Sequence, residues 1–284
     1  MNLPWEIEQA YLVADSRSVR VTAASAGFDS SEGERIAVLF GQRPAGVACP
    51  LAHFACPFGK RHVSVVRVAD LPGGGERLGF HFLVLDRQLY RHLGDPFAIA
   101  DRFPSDWSRC GSLPTLSWPA QPLPERTLEQ LDAILRHGDG PLLLAATQAL
   151  VDGNRVVVAR SAPDECLVRG LWALLPERSR VDLWPATFAF SDELRFHFWV
   201  TPLPTHLTRT GTHPDEGCYD LLEEEVVRNY PTGSYELNLQ IAVESGDRVA
   251  LRQLLNRRTP DETLRLAFYL LLVTLLAALI SRLG

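Results

Sequence analysis

The chain has 284 residues, 46% apolar and 22% charged, with a formal net charge of −6. The length suits one large or two ordinary domains. The composition excludes a disordered polar chain, and the acidic balance argues against nucleic acid as a partner. Lys60 is the only lysine, every other basic residue being arginine, a compositional bias that gives Lys60 no catalytic standing. Five cysteines, an odd number, predict reduced thiols rather than a disulfide framework. The opening MNLPWEIEQA has no apolar core of the kind a secretory leader needs, so the expected compartment is the cytoplasm.

Taken in order, the first part reads as β-rich. Alternating or β-branched runs at 10–14, 19–23, 35–40 and 62–68 predict strands, and 79–85, GFHFLVL, is the clearest of them. Asp86 then caps a short helix that Gly94 ends, and Asp95 with Pro96 opens another. Between 104 and 124 five prolines alternate with Trp107 and Trp118. This predicts an extended connector docked on the fold by its tryptophans, with a domain boundary near 120.

The second part alternates helix and strand. Thr127 caps a helix to His137, 141–150 is an apolar helix, 155–159 a strand and 163–175 an amphipathic helix. Runs 187–190 and 194–201 are expected to pair as a hairpin across Ser191, Asp192 and Glu193, and 219–229 and 235–258 to be helices. The expected fold class is α/β or α+β: a β-rich unit over 1–120, a mixed unit over 121–260, and one C-terminal transmembrane helix over 264–281. Phe80-His81-Phe82 and Phe196-His197-Phe198 echo each other, and strand alternation predicts the phenylalanines on one face and the histidines on the other, facing solvent or half-buried.

The transmembrane expectation rests on the run LRLAFYLLLVTLLAALI from Leu264 to Ile280, apolar from Leu266 onward except for Tyr269 and Thr274. Its apolar part spans about 22 Å as a helix, short of the roughly 30 Å hydrocarbon core. Arg265 and Arg282 can close that gap by snorkelling. Arg252, Arg257, Arg258 and Arg265 precede the run and Arg282 follows it, which predicts a single-pass inner-membrane protein with its head in the cytoplasm.

Cys49, His53, Cys56 and His62 lie within fourteen residues, CPLAHFACPFGKRH, and all four side chains can ligate zinc. Six residues separate the two cysteines, where zinc knuckles place two to four. A second use of the same set is a Cys–His nucleophile pair, with neither an orienting group nor an oxyanion donor in view. Gly73-Gly74-Gly75 and Phe58-Gly59-Lys60-Arg61 lack the phosphate-loop frame and read as turns.

Two stretches, 79–107 (GFHFLVLDRQLYRHLGDPFAIADRFPSDW) and 167–190 (LVRGLWALLPERSRVDLWPATFAF), resemble the N-terminal and middle regions of the bacterial GTPase-associated protein 1 family. The resemblance is carried by Leu174-Leu175-Pro176, Arg178, and Phe188 beside Thr187, and extends over 35–200. It implies a role beside a small GTPase in bacterial signalling or conflict, and supplies no catalytic residue. The function expected is therefore a membrane-tethered, non-enzymatic adaptor with a protein partner, for which the resemblance offers a small GTPase, and no cofactor. The alternatives are a metal-dependent or cysteine hydrolase using the cluster from Cys49 to His62, and a nucleotide-binding sensor.

Overall fold

A computed structural model describes residues 5–15, 17–72, 77–119, 123–202, 218–220, 233–257, 263–264 and 267–274, with 218–220 as backbone alone. The first part contains β1 (Trp5–Ala14), β2 (Val19–Ala24), α1 (Ser30–Leu39), β3 (Ala52–Phe58), β4 (His62–Asp70), β5 (Leu78–Asp86), α2 (Arg87–Leu93), α3 (Pro96–Arg102), β6 (Gly111–Ser112) and β7 (Leu116–Trp118). The second contains α4 (Leu128–His137), α5 (Gly140–Val151), β8 (Arg155–Arg160), α6 (Glu165–Leu174), α7 (Glu177–Arg180), β9 (Pro185–Ala186), β10 (Phe198–Pro202), β11 (Cys218–Asp220), α8 (Ser234–Glu244) and α9 (Arg248–Leu255).

These strands form one mixed sheet in the order β11-β8-β10-β9-β3-β4-β5-β1-β2-β6, with β7 also paired to β1. Strands β11, β8, β10 and β9 run parallel to one another; β9, β3, β4, β5, β1 and β2 are successively antiparallel. The two parts meet where β3 pairs with β9 at Phe54 and Ala186, so one sheet and one hydrophobic core run through both.

The middle strands are buried on both faces, which is why β5 is a near-continuous apolar run. One face holds an aromatic cluster. Phe40, at the end of α1, stacks on Phe54 at 5.2 Å and meets Phe80 and Phe190 edge-on. The opposite face of β3 to β5 is covered by α2 and α3.

Several sequence expectations are corrected. Residues 35–39 belong to α1 and Phe40 caps its end, so none of the run is a strand. Asp29 accepts the N–H groups of Ser31 and Glu32, and Gly33, Ile36 and Ala37 face the core. The alternation of Ile36 with Val38 imitated a strand because Val38 falls on the exposed side of the helix. The expected hairpin of 187–190 with 194–201 does not form: 198–201 belongs to β10, which pairs in parallel with β9, and 187–197 joins the two strands. The expected helix over 235–258 is broken into α8 and α9 at Gly246, which takes the left-handed φ of 71° that favours glycine. In the expected helix over 219–229, residues 219 and 220 belong to β11 and the rest lies outside the described residues.

The C-terminal transmembrane helix is also overturned. Among the described residues no helix is long and apolar enough to cross a membrane. Within the expected span, residue 264 and the run 267–274 are described, and both are helical. Residues 265, 266 and 275–284 of that region lie outside the described residues. The tail-anchored, single-pass reading and its inner-membrane placement fall with it. What the sequence measured was hydropathy, and in the described run Phe268, Tyr269, Leu270 and Leu271 are exposed.

Candidate functional site

Strand pairing lines up four polar side chains in a row across the sheet. His53 on β3 is opposite Arg67 on β4, Arg67 is opposite His81 on β5, and His81 is opposite Tyr11 on β1. Directly opposed residues share a face, so all four project to the side covered by α3. All four are buried, His81 to 1% exposure.

Arg67 ties the row together. Its Nε donates to His53 Nε2 at 3.4 Å. Its Nη2 donates to the carbonyl of Ala100, and Nη1 to the carbonyl of Phe103 and, at 3.4 Å, to Ser105 Oγ. Ala100 and Phe103 lie at the C-terminal end of α3, where the dipole is negative, and the Ala100 carbonyl also accepts the N–H of Phe103. Arg67 therefore caps that helix from inside the sheet. Burial is the main effect that lowers its pKa, opposed by Asp101.

Each histidine is held neutral. Burial lowers His53 to about 4, with Glu165 opposing that shift and Arg67 adding to it. Because Nε2 accepts from Arg67, the neutral ring carries its hydrogen on Nδ1, which faces Glu165 Oε1 at 3.7 Å. Burial, then Arg67, lowers His81 to about 3. Its Nδ1 bonds Ser105 Oγ at 2.9 Å, and its ring stacks on Tyr11 at 4.4 Å with the planes 13° apart. Trp107 meets both rings edge-on, and Tyr11 Oη accepts the N–H of Asp106. The expectation that His81 faces solvent or is half-buried is thus corrected: both faces of β5 are covered, and the proline-rich connector closes this one.

From His53 a chain of charges leads outward to the start of α6, just beyond the carboxyl end of β8. Glu165 accepts from Arg169 Nε at 2.6 Å, and Arg169 donates twice to Asp101, at 2.8 Å each. Arg169 also lies over the Phe97 ring, 5.1 Å from its centroid. Asp164 caps α6 through the N–H of Leu167.

The four cysteine and histidine candidates are spread apart. His53 and Cys56 sit on opposite faces of β3 by their odd and even positions. Cys56 Sγ lies 3.2 Å from Ser64 Oγ, on the aromatic side of the sheet. Cys49 precedes β3, and its N–H donates to Asp70. His62 opens β4 at the surface. Burial pushes both thiols up to about 12, so neither carries thiolate near neutrality. Among the described residues no three of His, Cys, Asp and Glu gather as a metal-binding group would require. Sequence reasoning missed Arg67 altogether. The signal available was a lone arginine between valines in the strand HVSVVRVAD.

A second surface is built by α8 and α9. Tyr235 donates through its hydroxyl to the carbonyl of Leu174, and the N–H groups of Tyr235 and Glu236 both donate to Gln148 Oε1. These bonds fix α8 against α5 and α6 by its inner side. On its outer side Leu237 and Ile241, one turn apart, are 56% and 52% exposed, and Val249 on α9 is 68% exposed.

Compared with family models, with curated proteins and with solved structures, the chain matches none.

Proposed function

We propose that this protein is a non-enzymatic interaction module, an adaptor that works beside a small GTPase. The observation that carries the reading is the use to which its reactive groups are put. His53 and His81 are buried, neutral and hydrogen-bonded into the sheet, and burial holds the thiols of Cys49 and Cys56 far above the thiolate range. A general base has to reach a substrate proton, and a row this deeply buried, closed by α3 and the connector, leaves no room for a substrate beside it. The exposed apolar side chains of Leu237 and Ile241 on α8 and Val249 on α9 support a contact with another protein. The GTPase as partner follows from the resemblance carried by 79–107 and 167–190.

The test is calorimetric titration of the purified protein with the small GTPase encoded nearest to it, loaded in turn with GTP and GDP. The expected result is a Kd near the micromolar range that differs between the two nucleotide states. Leu237→Glu with Ile241→Glu is expected to weaken it at least tenfold without lowering Tm. Turnover of a p-nitrophenyl ester or phosphate that disappears in His53→Gln or Cys56→Ala would overturn the adaptor reading.

A further inference from the structure

At the amino ends of the parallel strands, on the aromatic side of the sheet, lies a cleft of about 880 Å³. That volume falls within the range of small-molecule sites, roughly 300 to 1,000 Å³. Its walls bring together side chains far apart in sequence: Arg35 from α1, Arg155 from the first position of β8, and Trp184, Glu193, Arg195 and His197 from the segments before β9 and β10. Three guanidinium groups thus converge on one space, and Glu193 is the one carboxylate among the described lining residues.

The donors are held in different ways. Arg35 Nε and Nη2 are engaged by Glu32 at 2.8 and 2.7 Å. Arg155 donates to the carbonyl of Phe196 and to Asp192, and lies over the Trp199 ring 4.9 Å from its centroid. Both are oriented by these bonds, and Arg35, with five N–H groups of which Glu32 engages those on Nε and Nη2, retains further donors. His197 Nδ1 accepts the N–H of Trp184 at 3.1 Å, so the neutral ring carries its hydrogen on Nε2. Among the described residues no carboxylate pairs with Arg195, and its side chain is exposed.

The backbone at Arg195 is the independent observation. Its φ is 52°, and among the described residues it is the one non-glycine residue with a positive φ. The turn is pinned on both sides: Ser191 Oγ donates to the carbonyl of Leu39, and the N–H of Arg195 donates to the carbonyl of Asp192. A turn needing this conformation for its shape alone is best served by glycine or asparagine. An arginine held there carries strain, and strain of this kind concentrates where a side chain must be presented to a ligand.

We propose that this cleft binds a phosphate-bearing small molecule, with Arg195, Arg35 and the Nε2–H of His197 donating to the phosphate oxygens and Arg155 adding positive charge to the wall. A phosphate group accepts hydrogen bonds at every terminal oxygen, and guanidinium forks match it two oxygens at a time. The position at the strands' amino ends sets this cleft apart from the row that contains His53 and from the surface of α8 and α9. It goes beyond the adaptor reading and does not depend on it.

The experiment is isothermal titration of the full chain with inorganic pyrophosphate and with GMP, with citrate as an anion of comparable charge that lacks phosphorus. The expected result is saturable one-to-one binding of at least one phosphate probe, at least tenfold tighter than citrate. Arg195→Ala and Arg195→Gly should each weaken it tenfold or more. Arg195 is exposed, and the glycine variant relieves the backbone, so both variants are expected to fold; an unchanged far-ultraviolet circular dichroism spectrum verifies it. Absence of saturable binding to the wild-type chain, citrate binding as tight as phosphate binding, or equal affinity in Arg195→Gly would each overturn the proposal.

Discussion

His53 and Thr187 are joined by two hydrogen bonds at the seam of the sheet. The N–H of His53 donates to Thr187 Oγ1 at 2.8 Å, and the N–H of Thr187 donates to the carbonyl of His53 at 2.8 Å. They sit beside the pairing of Phe54 with Ala186, which joins the antiparallel strands to the parallel ones. Both residues are buried, so water cannot replace either bond.

Thr187→Val keeps the shape of the side chain and removes the acceptor. The buried N–H of His53 is then left without its partner, at a cost of about 1–3 kcal/mol. Thr187→Ser keeps the hydroxyl and should cost about 1 kcal/mol for the lost methyl group. Urea denaturation of the two variants checks the order. A valine variant as stable as the wild type would mean that the seam bond contributes nothing.

Stability should fall with acid before the carboxylates titrate. Burial lowers His53 from 6.5 to about 4 and His81 from 6.5 to about 3. Near pH 6 the unfolded chain takes up protons that the folded chain refuses. The stabilisation is complete above pH 6.5 and is lost as pH falls from there toward 4 and 3, on the order of 3 kcal/mol per ring. Denaturation measured from pH 7 to 4 should show this slope. His81→Phe, which keeps a ring for Tyr11 to stack on, should reduce the slope by about one proton.

Trp118 is buried and on strand β7, opposite Trp5 of β1. Its ring meets Phe103 at 6.0 Å, and Arg102 lies over it at 5.1 Å. Trp118→Ala should cost about 3–5 kcal/mol. It should also open the segment from 104 to 119 to limited proteolysis, which the wild-type chain resists there. Rapid cleavage of the wild type within that segment would contradict the docked strand.

Thiol accessibility should divide the cysteines. Cys49 and Cys56 are buried, while Cys110 and Cys166 are exposed. Short alkylation at pH 8 followed by peptide mass spectrometry should label Cys110 and Cys166 in the native protein, and Cys49 and Cys56 after urea unfolding. Prompt native labelling of Cys56 would contradict its place beneath the aromatic cluster.

Replacing Arg195 by glycine should stabilise the protein in the absence of any ligand. Relief of a left-handed conformation gains about 1–2 kcal/mol, and the greater freedom of glycine in the unfolded chain returns about 0.5–1. The net expectation is a gain of up to about 1 kcal/mol in urea denaturation, with Arg195→Ala near zero. A loss in the glycine variant would show that the guanidinium stabilises the turn in which it sits.

Much of the local structure was legible because its causes are local. Asp86, Asp95 and Thr127 cap helices as their spacing predicts, and Gly94 ends α2 in the left-handed conformation, φ 62°. The run 79–85 lies inside β5. Strand β3 went unread because Cys56 and Pro57 interrupt its pattern. α1 was mistaken for a strand because Asp29, the cap that defines it, lay outside the apolar run. The apolar run at 264–280 shows the limit of hydropathy, which records what a segment avoids and leaves open what covers it.

The candidate sites belong to a different level. The sequence by itself determined the mixture of strand and helix, the capped helices, the reduced state expected of the thiols and the set of polar residues available. Pairing register decided the rest. It placed His53, Arg67, His81 and Tyr11 in one row, although Tyr11 is 70 residues from His81 along the chain. It also separated His53 from Cys56, three positions away, by putting them on opposite faces of one strand. A strand's alternation fixes which residues share a face, but only its neighbours decide which face is buried and what lies across from each side chain. The chemistry of these histidines therefore became readable only once the sheet was assembled.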